Sequence, residues 1–395
     1  MKRIKAFLLV ATASVVAPAC DPGVDDGGGG GGDGGSGGSG GSGSADEWDA
    51  RLNERVLDYN AALRIAALRL TGDLPTRTEI NSVADAPDDA AKKVAYEALV
   101  DGYIGRPTFA RQMMVYFRDT FKLGGAMGAV DLETAPAFAA QLAVENRSFM
   151  ELFTATANNC PTFNAATNTF AAATCNNNVA TQAGVLTNPG MNASFNGNFA
   201  FRRVRWVQET FNCLKFPAEI SDTPQTYGGK LYTGKFPWLS FSGSENGGRI
   251  DFHDTSAIVC GNCHANLNKL APLFANFDAN GQMTNAIQVL TPLGVNDRAL
   301  ATDFMPAGEP TAYRLGTLTP DLPSLGAAMA ADKEVAACAV KRVWNWALGK
   351  TDIVNDLVLV PDSVVQSQVD TFTTNGYKLK DLIRAAFVAD DFTRF

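Results

Sequence analysis

The sequence predicts an all-α protein, built of multi-helical bundle domains flanking a small, loop-rich region. Three observations carry that expectation. Apolar residues recur at three- and four-residue steps over long stretches, which is the period of a helix with one buried face. Helix boundary signals punctuate those stretches: Gly72 and Gly349 follow periodic runs, and Thr76 stands three residues before Glu79 at capping-box spacing. Runs that would make strands are scarce throughout.

The first residues read as an export signal. Lys2, Arg3 and Lys5 form a positive region, and Ala6 to Ala17 an apolar stretch too short for a comfortable membrane span. Ala17-Pro18-Ala19-Cys20 resembles a bacterial lipobox, whose cysteine receives diacylglycerol and becomes the mature N-terminus; a plainly cleaved signal is the alternative. Residues 27–44 are Gly and Ser with one Asp, a flexible tether with an r.m.s. span of roughly 20–25 Å. Residues 1–19 are thus expected to be a signal peptide and 20–46 a lipid-anchored linker.

Removing residues 1–19 leaves 30 basic against 41 acidic side chains, a net charge of −11. Such acidity argues against nucleic acid and against a polybasic mode of membrane binding. No other run is apolar and long enough to span a bilayer.

From Trp48 the pattern turns helical, with Leu52, Val56, Tyr59, Leu63, Ala66 and Leu70 on one stripe that Gly72 ends. A short helix should start at Pro75-Thr76, a third run from about Asp88 to Tyr103, and a fourth begin near Pro107 with Phe109, Met113, Phe117 and Phe121 facing the core. Residues 134–156 look helical again. Phe201 to Phe211 carries Arg202, Arg203 and Arg205, read as a solvated helix face, the alternative being contact with haem propionates. Phe216 to Ile250 has no sustained period and reads as loop. Further helices are expected over Asp332–Leu348, Val364–Phe372 and Leu379–Phe387. The domain boundaries follow: 47–215 helical, 216–330 loop-rich, 331–395 helical.

The chemistry is concentrated in Cys260-Gly261-Asn262-Cys263-His264. Two cysteines separated by two residues and followed by histidine form the attachment signature of a single haem c. One turn of backbone presents both thiols to the vinyl groups of one porphyrin, and the adjacent imidazole is held beneath the iron. Cys260 and Cys263 are then thioether anchors and His264 the proximal ligand. A zinc site is disfavoured, because the chain has only two histidines and no second C-x-x-C. A redox dithiol usually opens a helix after a βαβ pattern, which nothing upstream supplies. Met305, in Phe304-Met305-Pro306, is the candidate second metal ligand, with Met283 and His253 as lesser ones; Met/His ligation would raise the potential.

Of seven cysteines, lipid and haem account for Cys20, Cys260 and Cys263. Cys160, Cys175, Cys213 and Cys338 remain, an even number that permits two disulfides in an exported protein. A Cys160–Cys175 bridge would close a loop with little else to hold it. Cys213 and Cys338 are then left for each other, unless both are buried as unpaired thiols.

Several short matches, in order along residues 55–395, resemble the cytochrome-c-like multidomain proteins of planctomycetes and myxobacterial lipoproteins. They are Leu68-Arg69-Leu70-Thr71-Gly72 with Leu74-Pro75-Thr76, Asn146-Arg147-Ser148-Phe149, Gly184-Val185-Leu186-Thr187, Arg203 with Trp206 and Cys213, and His253 before the haem motif. Phe277-Asp278 with Gly281, Cys338, Ala347-Leu348-Gly349 and Asp390-Asp391-Phe392 complete them. The resemblance implies a haem-binding region between helical domains, with Cys213 and Cys338 in the shared scaffold. The sequence departs from the family after the motif, where Asn268-Lys269-Leu270-Ala271-Pro272 keeps a proline but not its usual Asp and Gly neighbours. The family names no reaction.

The expectation is therefore an envelope lipoprotein, on the inner or outer membrane, that carries single electrons on covalent haem to unidentified redox partners. A haem enzyme with an open distal site, and a binding lipoprotein without functional haem, are the rivals. No nucleophile elbow or phosphate loop is present to favour catalysis.

Overall fold

A computed structural model describes residue 50 and residues 54–214, 225–227, 230–232, 252, 258–290, 298–314, 316–349 and 360–395. Cys20, the tether and His253 lie outside these residues. Cys260 lies within a described helix, but its side chain lies outside the description. The described chain is mostly helical, with four short antiparallel hairpins as its named strands. No described helix is long and apolar enough to cross a membrane.

Helix α1 (Tyr59–Thr71) starts later than its stripe suggested, because Asp58 accepts from the Asn60 and Ala61 amides and caps it there. Val56 is left exposed, and Leu57 pairs instead with Arg394 near the C-terminus. Gly72 ends α1 in the left-handed region, and the Thr76–Glu79 capping box opens α2 (Arg77–Ala84). Helices α3 (Asp89–Ile104) and α4 (Pro107–Phe121) follow, the latter burying Phe109, Met113, Phe117 and Phe121. Hairpin β1–β2 (Ala126–Met127, Val130–Asp131) leads to α5 (Thr134–Val144).

The single helix expected over 134–156 is broken. Asn146 turns left-handed (φ 52°), and a separate turn, α6 (Glu151–Thr154), resumes beyond it. Hairpin β3–β4 (Thr162–Asn164, Thr169–Ala171) lies between Cys160 and Cys175, which are bridged with a Cα separation of 4.9 Å. Beside that bridge a run of buried amides and hydroxyls satisfies itself. Thr187 donates to Gln182, Gln182 to Asn177, and Asn177 to the Thr187 carbonyl.

Helix α7 (Pro189–Ser194) precedes α8 (Phe201–Phe211), the hub of the molecule. Hairpin β5–β6 (Gln225–Tyr227, Lys230–Tyr232) is the described part of the region read as loop. Then come α9 (Ile258–Phe274), α10 (Ala301–Phe304), hairpin β7–β8 (Ala312–Tyr313, Thr317–Leu318) and α11 (Leu322–Ala330). The C-terminal run is α12 (Lys333–Ala347), α13 (Asp362–Thr374), α14 (Leu379–Val388) and α15 (Asp390–Thr393). One contiguous apolar cluster runs from Tyr59 to Phe392, with α14 packed on α3 and α5.

Candidate functional site

The motif occupies the first turns of α9, a 17-residue helix rather than a loop. Helical backbone puts Cys263 one turn beyond Cys260 and His264 next to it. The four other described cysteines form the two disulfides, the second joining Cys213 to Cys338 at a Cα distance of 5.5 Å; Cys263 takes part in neither.

His264 is almost wholly buried, at 1 % exposure. The Phe252 ring stacks on its face, with centroids 4.9 Å apart and planes 6° from parallel, and Phe201 meets it edge-on at 4.7 Å. Its Nδ1 lies 3.0 Å from Oδ1 of Asn268, one turn further along α9. Asn268 Nδ2 in turn donates to the Phe252 carbonyl at 2.6 Å. The aromatic wall continues through Phe199, which stacks on Phe304 at 4.1 Å. Met305 follows Phe304 directly and is buried where α10 ends, and α10 packs on α9.

Two backbone irregularities place this wall. Phe199 and Ala200 both take the left-handed region (φ 59° and 64°), a conformation costly for a bulky side chain. The kink sends Phe199 toward Phe252 and Phe304 and Phe201 toward His264. Nothing in the residue types Phe-Ala signals such a kink.

The arginine-rich helix is corrected at one position. Arg202 and Arg205 are exposed, the latter paired with Glu209 at 2.7 Å, but Arg203 has no exposed surface. Its Nε donates to the Asn192 carbonyl, Nη1 to the carbonyls of Phe274 and Phe277, and Nη2 to the Asp278 carbonyl and Asn196 Oδ1. All five partners are neutral oxygens. Burial pulls the guanidinium pKa down to about 10, against a smaller opposing effect of the Asp278 charge. Arg203 therefore closes the carboxyl end of α9, where helix carbonyls lack intrahelical donors and the macrodipole favours a cation.

Met283, a lesser ligand candidate, lies in the turn after α9, with its backbone held there. It bridges to Phe277, and its amide donates to Asn177 beside the first disulfide at 2.9 Å.

The expectation of metal-binding character is corrected. Among the described residues no group of three or more His, Cys, Asp and Glu side chains comes together to hold an ion. His264 is the single described histidine, four cysteines are consumed in bridges, and many of the acids are paired with Lys or Arg. No ion centre built by side chains of the described chain remains. What α9 does offer is different chemistry: a buried motif cysteine, Cys263, next to a buried, oriented imidazole in an aromatic wall. Cys263 and His264 are the described residues that would hold a covalently attached porphyrin, which would supply the remaining donors itself.

No family model matches the chain, and no curated protein or solved structure matches it either. The family resemblance thus rests on the sequence motifs alone.

Proposed function

We propose that the protein is a monohaem c-type cytochrome of the bacterial envelope, tethered through Cys20 and carrying single electrons between redox partners. The observation that supports it best is the pairing of Cys263 with an oriented His264 on one helix, while the described cysteines beyond the motif are spent on disulfides. Cys260 and Cys263 would carry the thioether bonds. His264 would present its imidazole to the porphyrin, and Met305, buried where α10 ends against α9, is the candidate second residue to hold it. Bound haem supplies a one-electron couple whose potential is set by axial partners and burial. Phe252 and Phe201 lie against the imidazole, with Phe199 and Phe304 packed behind them, and this apolar wall keeps water from it, which favours a small reorganisation on electron transfer. Two bridged cysteine pairs suit the oxidising compartment where haem c is attached.

The test is to express the chain with cytochrome c maturation and record optical spectra and the mass of the denatured polypeptide. Retained haem mass, lost on Cys260→Ala or Cys263→Ala, with a reduced spectrum unaffected by carbon monoxide, is the expected result. A polypeptide without haem mass overturns the proposal, and ready carbon monoxide binding replaces the carrier with a haem enzyme.

A further inference from the structure

Asn268 belongs to no part of the attachment motif, yet the structure gives it a defined task. Its side chain is buried (5 % exposed) and engaged at both ends. Nδ2 lies 2.6 Å from the Phe252 carbonyl oxygen, a contact that only an N–H can make. The amide orientation is thereby fixed, because the flipped form would set two acceptor oxygens against each other at that distance. Oδ1 must then face His264 Nδ1 at 3.0 Å, and an acceptor there requires the proton on Nδ1. In the neutral ring the lone pair then belongs to Nε2, the nitrogen on the far side of the imidazole from Asn268. Phe252, whose carbonyl sets the amide, also stacks its ring on the same imidazole. One residue therefore fixes His264 twice, once through Asn268 and once through its own face.

We infer that Asn268 is the positioning residue for His264, holding the imidazole in its Nδ1–H tautomer so that Nε2 is directed at the haem. The inference rests on the haem reading proposed above. It also assigns a sense to the amide. A neutral acceptor draws less on the Nδ1 proton than a carboxylate would, leaving the imidazole a weaker donor and holding the potential higher.

The experiment compares the native chain, Asn268→Asp and Asn268→Leu, all produced with haem maturation, by potentiometric titration. Asn268→Asp substitutes a stronger acceptor and should lower the midpoint potential. Asn268→Leu removes the acceptor and should raise it, with a changed optical spectrum as the imidazole loses its orientation. Opposite signs are the expected result, since a merely structural role would move both variants in one direction or neither. Two shifts of the same sign, or none, overturn the inference. If Asn268→Leu does not fold, the sign of the Asn268→Asp shift decides alone. If the native chain carries no covalent haem, the functional reading fails separately. The same sample then decides the tautomer through imidazole 15N shifts: a proton on Nδ1 upholds the role of Asn268, and a proton on Nε2 overturns it.

Discussion

A buried arginine with no carboxylate among its five partners is the residue on which the motif helix depends. Arg203 serves the carbonyls of Phe274, Phe277 and Asp278 at once, so its loss would strand several buried acceptors, each costing about 1–3 kcal/mol. Arg203→Met is expected to reduce stability by about 3 kcal/mol or more, measured as a lower denaturant midpoint. Arg203→Lys should recover little of this, because an ammonium has three donors and no planar fork. A midpoint within about 0.5 kcal/mol of the native value in Arg203→Met would remove this role. The sequence did not reveal it. Arg202, Arg203 and Arg205 are chemically alike, and helix periodicity says which face each occupies but not that an inward one finds five oxygens. Asn268 was equally invisible as an orienting group, since its meaning lies in a bond to Phe252, 16 residues away. The motif stands out in the sequence because Cys-x-x-Cys-His is a recognisable spacing, and the structure places it within the first turns of α9.

At the scale of elements, local signals were read well where the chain itself supplies the partner. The Thr76–Glu79 box, the Gly72 stop and the Pro107 start all sit where the sequence put them. Boundaries that depend on distant contacts were not legible. The apolar stripe of α1 extends back through Val56, but Asp58 caps the start of the helix, and the preceding strand-like residues pair with the C-terminal segment. The break at Asn146 similarly coincides with pairing of Ser148 and Lys378, which no local pattern announces. Close approach of elements is a further feature of this kind. A Cβ on Gly326 in α11 would lie 2.2 Å from the Phe153 carbonyl of α6, backbone with little room to give. Gly326→Ala, although favourable to an isolated helix by roughly 1 kcal/mol, should therefore destabilise the protein by about 1–3 kcal/mol through overpacking. A thermal midpoint equal to or above the native one would show that α11 can move away from α6 without cost.

Across the whole molecule, α8 joins the parts. Trp206 donates to the carbonyl of Phe121 at the end of α4, and Arg203 closes the end of α9. Arg342 of α12 repeats the device on α8 itself, donating to the Thr210 and Glu209 carbonyls near its carboxyl end at 3.0 and 2.7 Å. The Cys213–Cys338 bridge lies at that last junction, spanning 125 residues that include the entire motif helix. A closed loop of this length lowers the entropy of the unfolded chain by an amount worth about 4–5 kcal/mol, although strain and residual structure commonly reduce the measured value. The Cys160–Cys175 bridge closes only 15 residues, for which the same treatment gives about 3 kcal/mol. Removing both partners of one bridge at a time should therefore rank the two: Cys213→Ala with Cys338→Ala should lose more stability than Cys160→Ala with Cys175→Ala. The distinction extends to where stability is lost. Without the long bridge, Arg342 and the apolar contact of α8 with α12 are left to hold that junction, so amide exchange should quicken in α8 and α12 before it does in α3 and α4. Without the short bridge, exchange should quicken around the β3–β4 hairpin alone. Equal losses from both pairs, or uniform acceleration across all helices, would show that α8 is not the junction through which the motif helix is held.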